Sequence, residues 1–157
     1  MTKLPASLLL AGLLAAGAPR AQAQKAPAET AAVQQTITAF FDGMRRGDST
    51  AVRRTLAPAA VFHGFGGQPG QPPTLAIESI SGFLKAVGTP HPAVWDERVT
   101  FERVLIDAGL ASVWTPYEFY LGNKFSHCGY NSFQLVKLAD GWKIAHIIDT
   151  RRKEKCH

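Results

Sequence analysis

Apolar residues along this chain change their spacing partway, and the change divides the protein in two. From Glu29 onward Val33, Ile37, Phe40, Phe41 and Met44 fall on one face of a 3.6-residue repeat, which predicts an amphipathic helix. Arg45-Arg46 suit its C-terminal turn and Gly47 its stop. Asp48-Ser49 then offers an N-cap for a short second helix that runs to Leu56 and is closed off by Pro58. Val61-Phe62-His63 reads as a short strand, and the glycine- and proline-rich stretch Gly64 to Pro73 as a long loop at a rim or lid. Ile80, Phe83, Leu84 and Val87 give a third helix over 79–87, which Pro90 and Pro92 prevent from continuing.

Beyond residue 95 the period becomes two. Residues 96–106, 110–121, 125–138 and 142–150 form four β runs, separated by Asp107-Ala108-Gly109, Gly122-Asn123-Lys124 and Ala139-Asp140-Gly141. Gly109 and Gly141 take the third place of a three-residue loop, where a left-handed bulge residue belongs. Three helices and a four-stranded antiparallel meander describe an α+β domain with helices packed on one face of a sheet.

Three-residue turns set a register, and the register sorts side chains by face, because directly opposed residues share one. The first face collects Val99, Phe101, Arg103, Leu105, Val113, Thr115, Tyr117, Phe119, His127, Asn131, Phe133, Leu135, Ala145, Ile147 and Asp149. It is apolar toward Leu105 and Leu135 and polar toward His127, Asn131 and Asp149, with Asn131 opposite both Thr115 and Asp149. Apolar walls with a few convergent polar groups are what a ligand cavity presents. The second face carries Trp114, Glu118, Tyr120, Tyr130, Trp142, Ile144, His146 and Ile148, an aromatic surface suited to a second subunit. Pro116 threatens this register, since a mid-strand proline implies an edge or a bulge.

The first twenty-three residues add a location. A charged start at Lys3, the apolar run Leu8 to Ala16, and Ala21-Gln22-Ala23 have the form of a cleaved secretory leader, with the mature chain starting near Gln24. That run is too short to span a bilayer, so no stable membrane anchor is expected. The product is periplasmic or secreted: a flexible lead-in over 24–28, one domain over 29–150, and a basic tail over 151–157. Losing Lys3 and Arg20 lowers the formal charge from +5 to +3. The tail Arg151-Arg152-Lys153-Glu154-Lys155 alone accounts for a net +3, so the body is near neutral and no nucleic-acid partner is expected. Cys128 and Cys156 enter an oxidising compartment as a pair. The register puts Cys128 opposite Arg152, so a disulfide requires the tail to fold back; the alternative is two separate thiols.

The segments FFDGMRRGDSTAVRRTLAPAAVFHG (40–64) and VWTPYEFYLGNKFSHCGYNSFQLVKLADGWKIAHIIDT (113–150) resemble the nuclear transport factor 2-like (NTF2-like) superfamily. The nearest likeness is to its bacterial branch labelled putative lumazine-binding, close to the SnoaL-like group. The resemblance implies a cone-shaped fold with a pocket between three N-terminal helices and a curved, mainly antiparallel sheet, often dimeric through that sheet. Relatives include isomerases, cyclases, dehydratases and non-catalytic binding modules, so function stays open. Ketosteroid isomerase-like members use a carboxylate base on the strand after the second helix. This chain has His63 there and no Asp or Glu between residues 49 and 77, so that mechanism is not carried over.

Three functions remain. The first is an exported protein binding a small, partly apolar molecule, with His63, Tyr117, Asn131, Arg103 and Phe119 as contact residues. The second is an acid/base enzyme of the isomerase, cyclase or dehydratase kind, with His127 as proton shuttle oriented by Asp149 or Asn131. The third is a non-catalytic homodimeric interaction module docking through the aromatic face. No metal site is expected, because the histidines lack paired ligand spacing. No cofactor is expected either, since phosphate-binding glycine motifs are missing.

Overall fold

The computed structural model describes residues 20–67 and 71–156. Most of the expected leader, and residues 68–70 of the expected loop, lie outside them. Helix α1 (Arg20–Arg45) buries Val33, Ile37, Phe40, Phe41 and Met44, the face the spacing predicts. It starts upstream of Glu29 and contains Pro27. Ahead of Glu29 the sequence shows no 3.6-residue apolar spacing that would mark a helix. Glu29 ties this end to the sheet by accepting from Lys137 Nζ at 2.6 Å and Trp142 Nε1 at 2.9 Å. Gly47, left-handed at φ 68°, follows the helix end.

Asp48 caps α2 (Ser49–Thr55) through a 2.8 Å bond from the Ala51 N–H, and Ser79 caps α3 (Ile80–Gly88) through a 3.1 Å bond from the Gly82 N–H. Between them lies the main departure from expectation. Val61-Phe62-His63 is the middle of a long strand, β1 (Leu56–Gly66), which takes in the first three residues of the expected loop, and the residues between that loop and the third helix form β2 (Thr74–Glu78), antiparallel to it. Pro72 and Pro73 sit in the connection before β2, where they cost no ladder bond. β1 also pairs in parallel with the final strand, a partner far away in sequence that leaves no local signal.

The remaining strands are β3 (Trp95–Val99), β4 (Arg103–Asp107), β5 (Leu110–Leu121), β6 (Lys124–Leu138) and β7 (Gly141–Thr150). The sheet order is β2-β1-β7-β6-β5-β3, with β4 also on β5. This is the α+β architecture expected: three helices against a curved, unclosed, mainly antiparallel sheet. The core lies between them, where Phe133, Leu135 and Ile144 are fully buried under Val33 and Ile37.

The register holds through the centre and fails at three places. Thr115 opposes Asn131, Asn131 opposes Asp149, and Tyr117 opposes Gly129. Pro116 introduces no bulge. Its carbonyl accepts from Thr100, so its missing N–H points at the break between β3 and β4, where no ladder bond is lost. That break shifts β4 by one residue, so Val104 and Ile106 turn inward and Arg103 and Leu105 outward. A bulge between Gln134 and Leu135 likewise turns Trp142 and Ile144 into the core rather than onto the second face. A third irregularity follows Phe119. At the turn before β5, Ala108 rather than Gly109 takes the left-handed conformation, because the turn has two residues instead of three.

After β7 the tail folds back. Arg152 and Cys128 exchange two backbone hydrogen bonds of 2.9 Å, and Cys128 and Cys156 form a disulfide with Cα atoms 5.6 Å apart. Among the described residues no helix is long and apolar enough to cross a membrane.

Candidate functional site

Strand alternation carries the helix-covered face past the end of the helices, and a cleft opens there. An outer lobe of about 490 Å³ is walled by Phe83, Trp95, Phe119, Leu121 and His127. An inner lobe of about 70 Å³ reaches Phe40, Phe62, Asn131 and Phe133. Both lobes share Met44, Glu78, Phe83, Glu97, Asp149 and Arg151, so they adjoin. The outer volume is within the usual range for small-molecule sites.

Three rows of cross-strand partners build the polar end. Glu97, Phe119 and His127 form one row over β3, β5 and β6; Val99, Tyr117 and Gly129 form the next; Thr115, Asn131 and Asp149 form the third, over β5, β6 and β7. Tyr117 packs on Gly129 so closely that a Cβ there would lie 2.8 Å from its ring and clash with the Thr150 carbonyl. Its hydroxyl donates to that carbonyl at 2.9 Å and approaches Asp149 at 3.3 Å. Burial, then the Asp149 charge, pushes the phenol well above its ordinary range, so Tyr117 stays protonated.

Arg151 spans the mouth. Its guanidinium donates to Asp149 at 2.7 Å and to Glu78 at 2.8 Å, joining the end of β7 to the end of β2. A Cβ on Gly64 would lie 3.1 Å from the Glu78 carboxylate and 3.6 Å from that of Asp149, so this glycine leaves room for the pair. The backbone bridge and disulfide just beyond anchor the segment that carries Arg151.

Glu97 has a different position. It accepts a 2.8 Å bond from the Asn131 amide, and no cation among the described residues lies within ion-pair distance of it. It is half-buried and lines both lobes of the cleft. Burial, reinforced by the Asp149 charge and opposed by the Asn131 bond and by Arg151, raises its carboxyl to about 7. Near neutral pH it exchanges a proton readily, the condition for a general acid or base.

The expected site residues divide accordingly. Tyr117, Phe119, Asn131, Asp149 and His127 converge on the cleft or its floor. His127 is not oriented by Asp149 or Asn131: its Nδ1 lies 3.1 Å from Ser126 Oγ and its ring against Phe119. Burial, then Arg151, lowers its pKa, so it is neutral at pH 7. Arg103 is exposed on the opposite face because of the β4 shift. His63 borders the inner lobe. Its ring pairs with His146 at 2.8 Å on the outer face, since β1 alternates with Phe62 and Gly64 pointing inward.

Glu78, Glu97 and Arg151 were missed. Glu97 and Arg151 were in reach, because the same register puts them on the first face beside Phe119 and Gly129; Glu78 was hidden in the presumed loop and helix boundary. Among the described residues no group of three or more His, Cys, Asp or Glu side chains is placed to hold a metal ion.

The fold is shared with solved structures at low sequence identity. An NTF2-like protein of unknown function from Shewanella baltica is 19% identical with a TM-score of 0.64, over 82% of this chain and 97% of that one. A ketosteroid isomerase-like protein from Erwinia carotovora is 20% identical with a TM-score of 0.57, over 78% and 95%. A protein of unknown function from Mycobacterium tuberculosis reaches a TM-score of 0.70 at 12% identity, over 86% and 78%. No curated protein sequence matches. The profile of the family described as "Putative lumazine-binding" matches residues 28–147, and the chain belongs to that NTF2-like family.

Proposed function

We propose that this is an exported protein that takes a small, partly apolar molecule into the cleft between its helices and its sheet. The observation that carries the reading is the cleft itself: aromatic walls converging on Glu97, Asn131 and Asp149, with about 490 Å³ open in its outer lobe. The leader-like N-terminus, and the disulfide between Cys128 and Cys156, support export. Native mass spectrometry of protein from the exported fraction of its own host tests it. A bound mass, lost when Phe83→Trp narrows the cleft, is the expected result. An empty protein whose cleft resonances ignore every member of a fragment library overturns the reading.

A specific observation favours a catalytic version. Glu97 has the near-neutral carboxyl that isomerase, cyclase or dehydratase chemistry needs, so the proton-transfer role moves from His127 to Glu97. With a turned-over substrate in hand, loss of kcat in Glu97→Gln and its retention in His127→Gln distinguish the two. Self-association through the outer face belongs to the same proposal, supported by exposed Phe65, Leu75, Ile77 and Trp114 there. Sedimentation showing a monomer at micromolar concentration overturns that part.

A further inference from the structure

The charges at the polar end narrow the class of ligand, on the reading that the cleft is a small-molecule site. Three carboxyls border it, Glu78, Glu97 and Asp149, against one guanidinium, Arg151. Arg151 is occupied by Glu78 and Asp149. His127, the other basic group on the wall, is held neutral, and Tyr117 stays protonated. Met44, on α1, brings no charge. Glu97 therefore faces the cleft with a single amide donor and no cation, while Phe83, Trp95 and Phe119 supply ring surface around it.

An anionic ligand would meet three carboxyls with one guanidinium already shared between two of them. A neutral ligand gains a hydrogen bond but, above about pH 7, leaves the Glu97 charge uncompensated. An organic cation satisfies both features, because ammonium pairs with the carboxylate and aromatic faces attract positive charge in a desolvated site. We propose that the cleft selects a small organic amine, protonated, with its ammonium against Glu97 and its apolar body among Phe83, Trp95 and Phe119.

The raised Glu97 pKa then gives the selectivity a pH signature. Binding a cation requires the carboxylate, so an amine must displace the proton that Glu97 holds below about pH 7. The groups facing Glu97 are Asn131 and His127 from β6, Asp149 and Arg151 from β7 and its extension, Tyr117 from β5, and Glu78 from β2. Among these basic groups, Arg151 stays charged, and His127 can only lose a positive charge as pH rises, which favours a cation in the same direction.

The test is a binding titration, followed by amide NMR, of benzylamine, its neutral isostere benzyl alcohol, and benzoate. Benzylamine is expected to bind most tightly of the three, and about tenfold more tightly at pH 8 than at pH 6, the ratio of ionised Glu97 for a pKa near 7. In Glu97→Gln the preference for benzylamine over benzyl alcohol is expected to disappear while benzyl alcohol still binds. Benzyl alcohol or benzoate binding the wild-type protein as tightly as benzylamine at pH 8 overturns the amine assignment and leaves the cleft reading standing. If none of the three perturbs a cleft resonance, the amine assignment fails, and the fragment library decides whether the cleft reading fails with it.

Discussion

Phe133 and Asn131 are two residues apart on β6 and face the same way, yet they belong to opposite ends of one surface. Phe133 is fully buried against Phe41 of α1, ring to ring at 6.0 Å, among Leu135, Ile144 and Val113. Asn131 bonds to Glu97 at the cleft, within reach of two more carboxyls and a guanidinium. Strand geometry does not separate them. Cover does: α1 lies over the sheet as far as Met44, and beyond that point side chains face a cleft instead of a helix. Where helices cover the sheet the chain uses residues that gain by leaving water. Where they do not, it uses polar groups that hold one another. One continuous surface thus serves as a core at one end and lines a cleft at the other.

The covered end should be the energetic centre, and the largest effect belongs there. Phe133→Ala removes a fully buried ring from between α1 and the sheet, and is expected to cost about 3–5 kcal/mol of unfolding free energy in denaturant titration. A loss below about 1 kcal/mol would mean that the covered end is as loosely filled as the cleft, and the contrast would collapse.

How much of this contrast the sequence disclosed depends on which strands are concerned. The rows joining Thr115, Asn131 and Asp149, and placing Tyr117 over Gly129, were legible because antiparallel neighbours joined by short turns have their register set locally. The same logic misplaced Arg103, Trp142 and Ile144, because a break and a bulge each invert alternation without an apolar or glycine signal of their own. β2, a short run directly after a proline-rich stretch, was left unassigned, and with it Glu78. Glu97 shows a different limit. Its position on the inner face followed from the register, but a single carboxylate in a charged run (Asp96-Glu97-Arg98) looks like solvated surface until the absence of a cation beside it is seen. Asp96 and Arg98 are indeed paired, at 2.8 Å, while Glu97 turns inward.

The open end is expected to lower stability at neutral pH for the sake of its charge arrangement. Glu97 titrates near 4.5 in an unfolded chain and at about 7 when folded. A carboxyl with a raised folded pKa contributes its full stability below about pH 4.5, and that contribution is lost as pH rises through 7. The shift corresponds to something on the order of 3 kcal/mol. Glu97→Gln keeps a neutral group of the same size, so the variant and the wild type should match near pH 4. By pH 8 the variant should be the more stable, by up to that amount. Chemical denaturation at several pH values reads this directly, and parallel curves would show that Glu97 ionises as freely as a surface residue.

A smaller effect asks whether the open end behaves as one electrostatic unit. Asp149 lies two rows away and contributes, after burial, to the elevation of Glu97; Arg151 opposes it. Asp149→Asn removes the like charge and also releases Arg151 from its shorter partner, at 2.7 Å. Both changes favour the Glu97 carboxylate, so its titration by carbon-detected NMR is expected to move below 7 without returning to the ordinary carboxylate value, since burial remains. The closed end should be unaffected, with Leu135 and Ile144 shifts unchanged across the same pH range. A Glu97 pKa that stays put or rises in this variant would mean that burial alone sets it. The polar rows would then be separate side chains sharing a wall, and the two ends would differ only in how much helix lies over them.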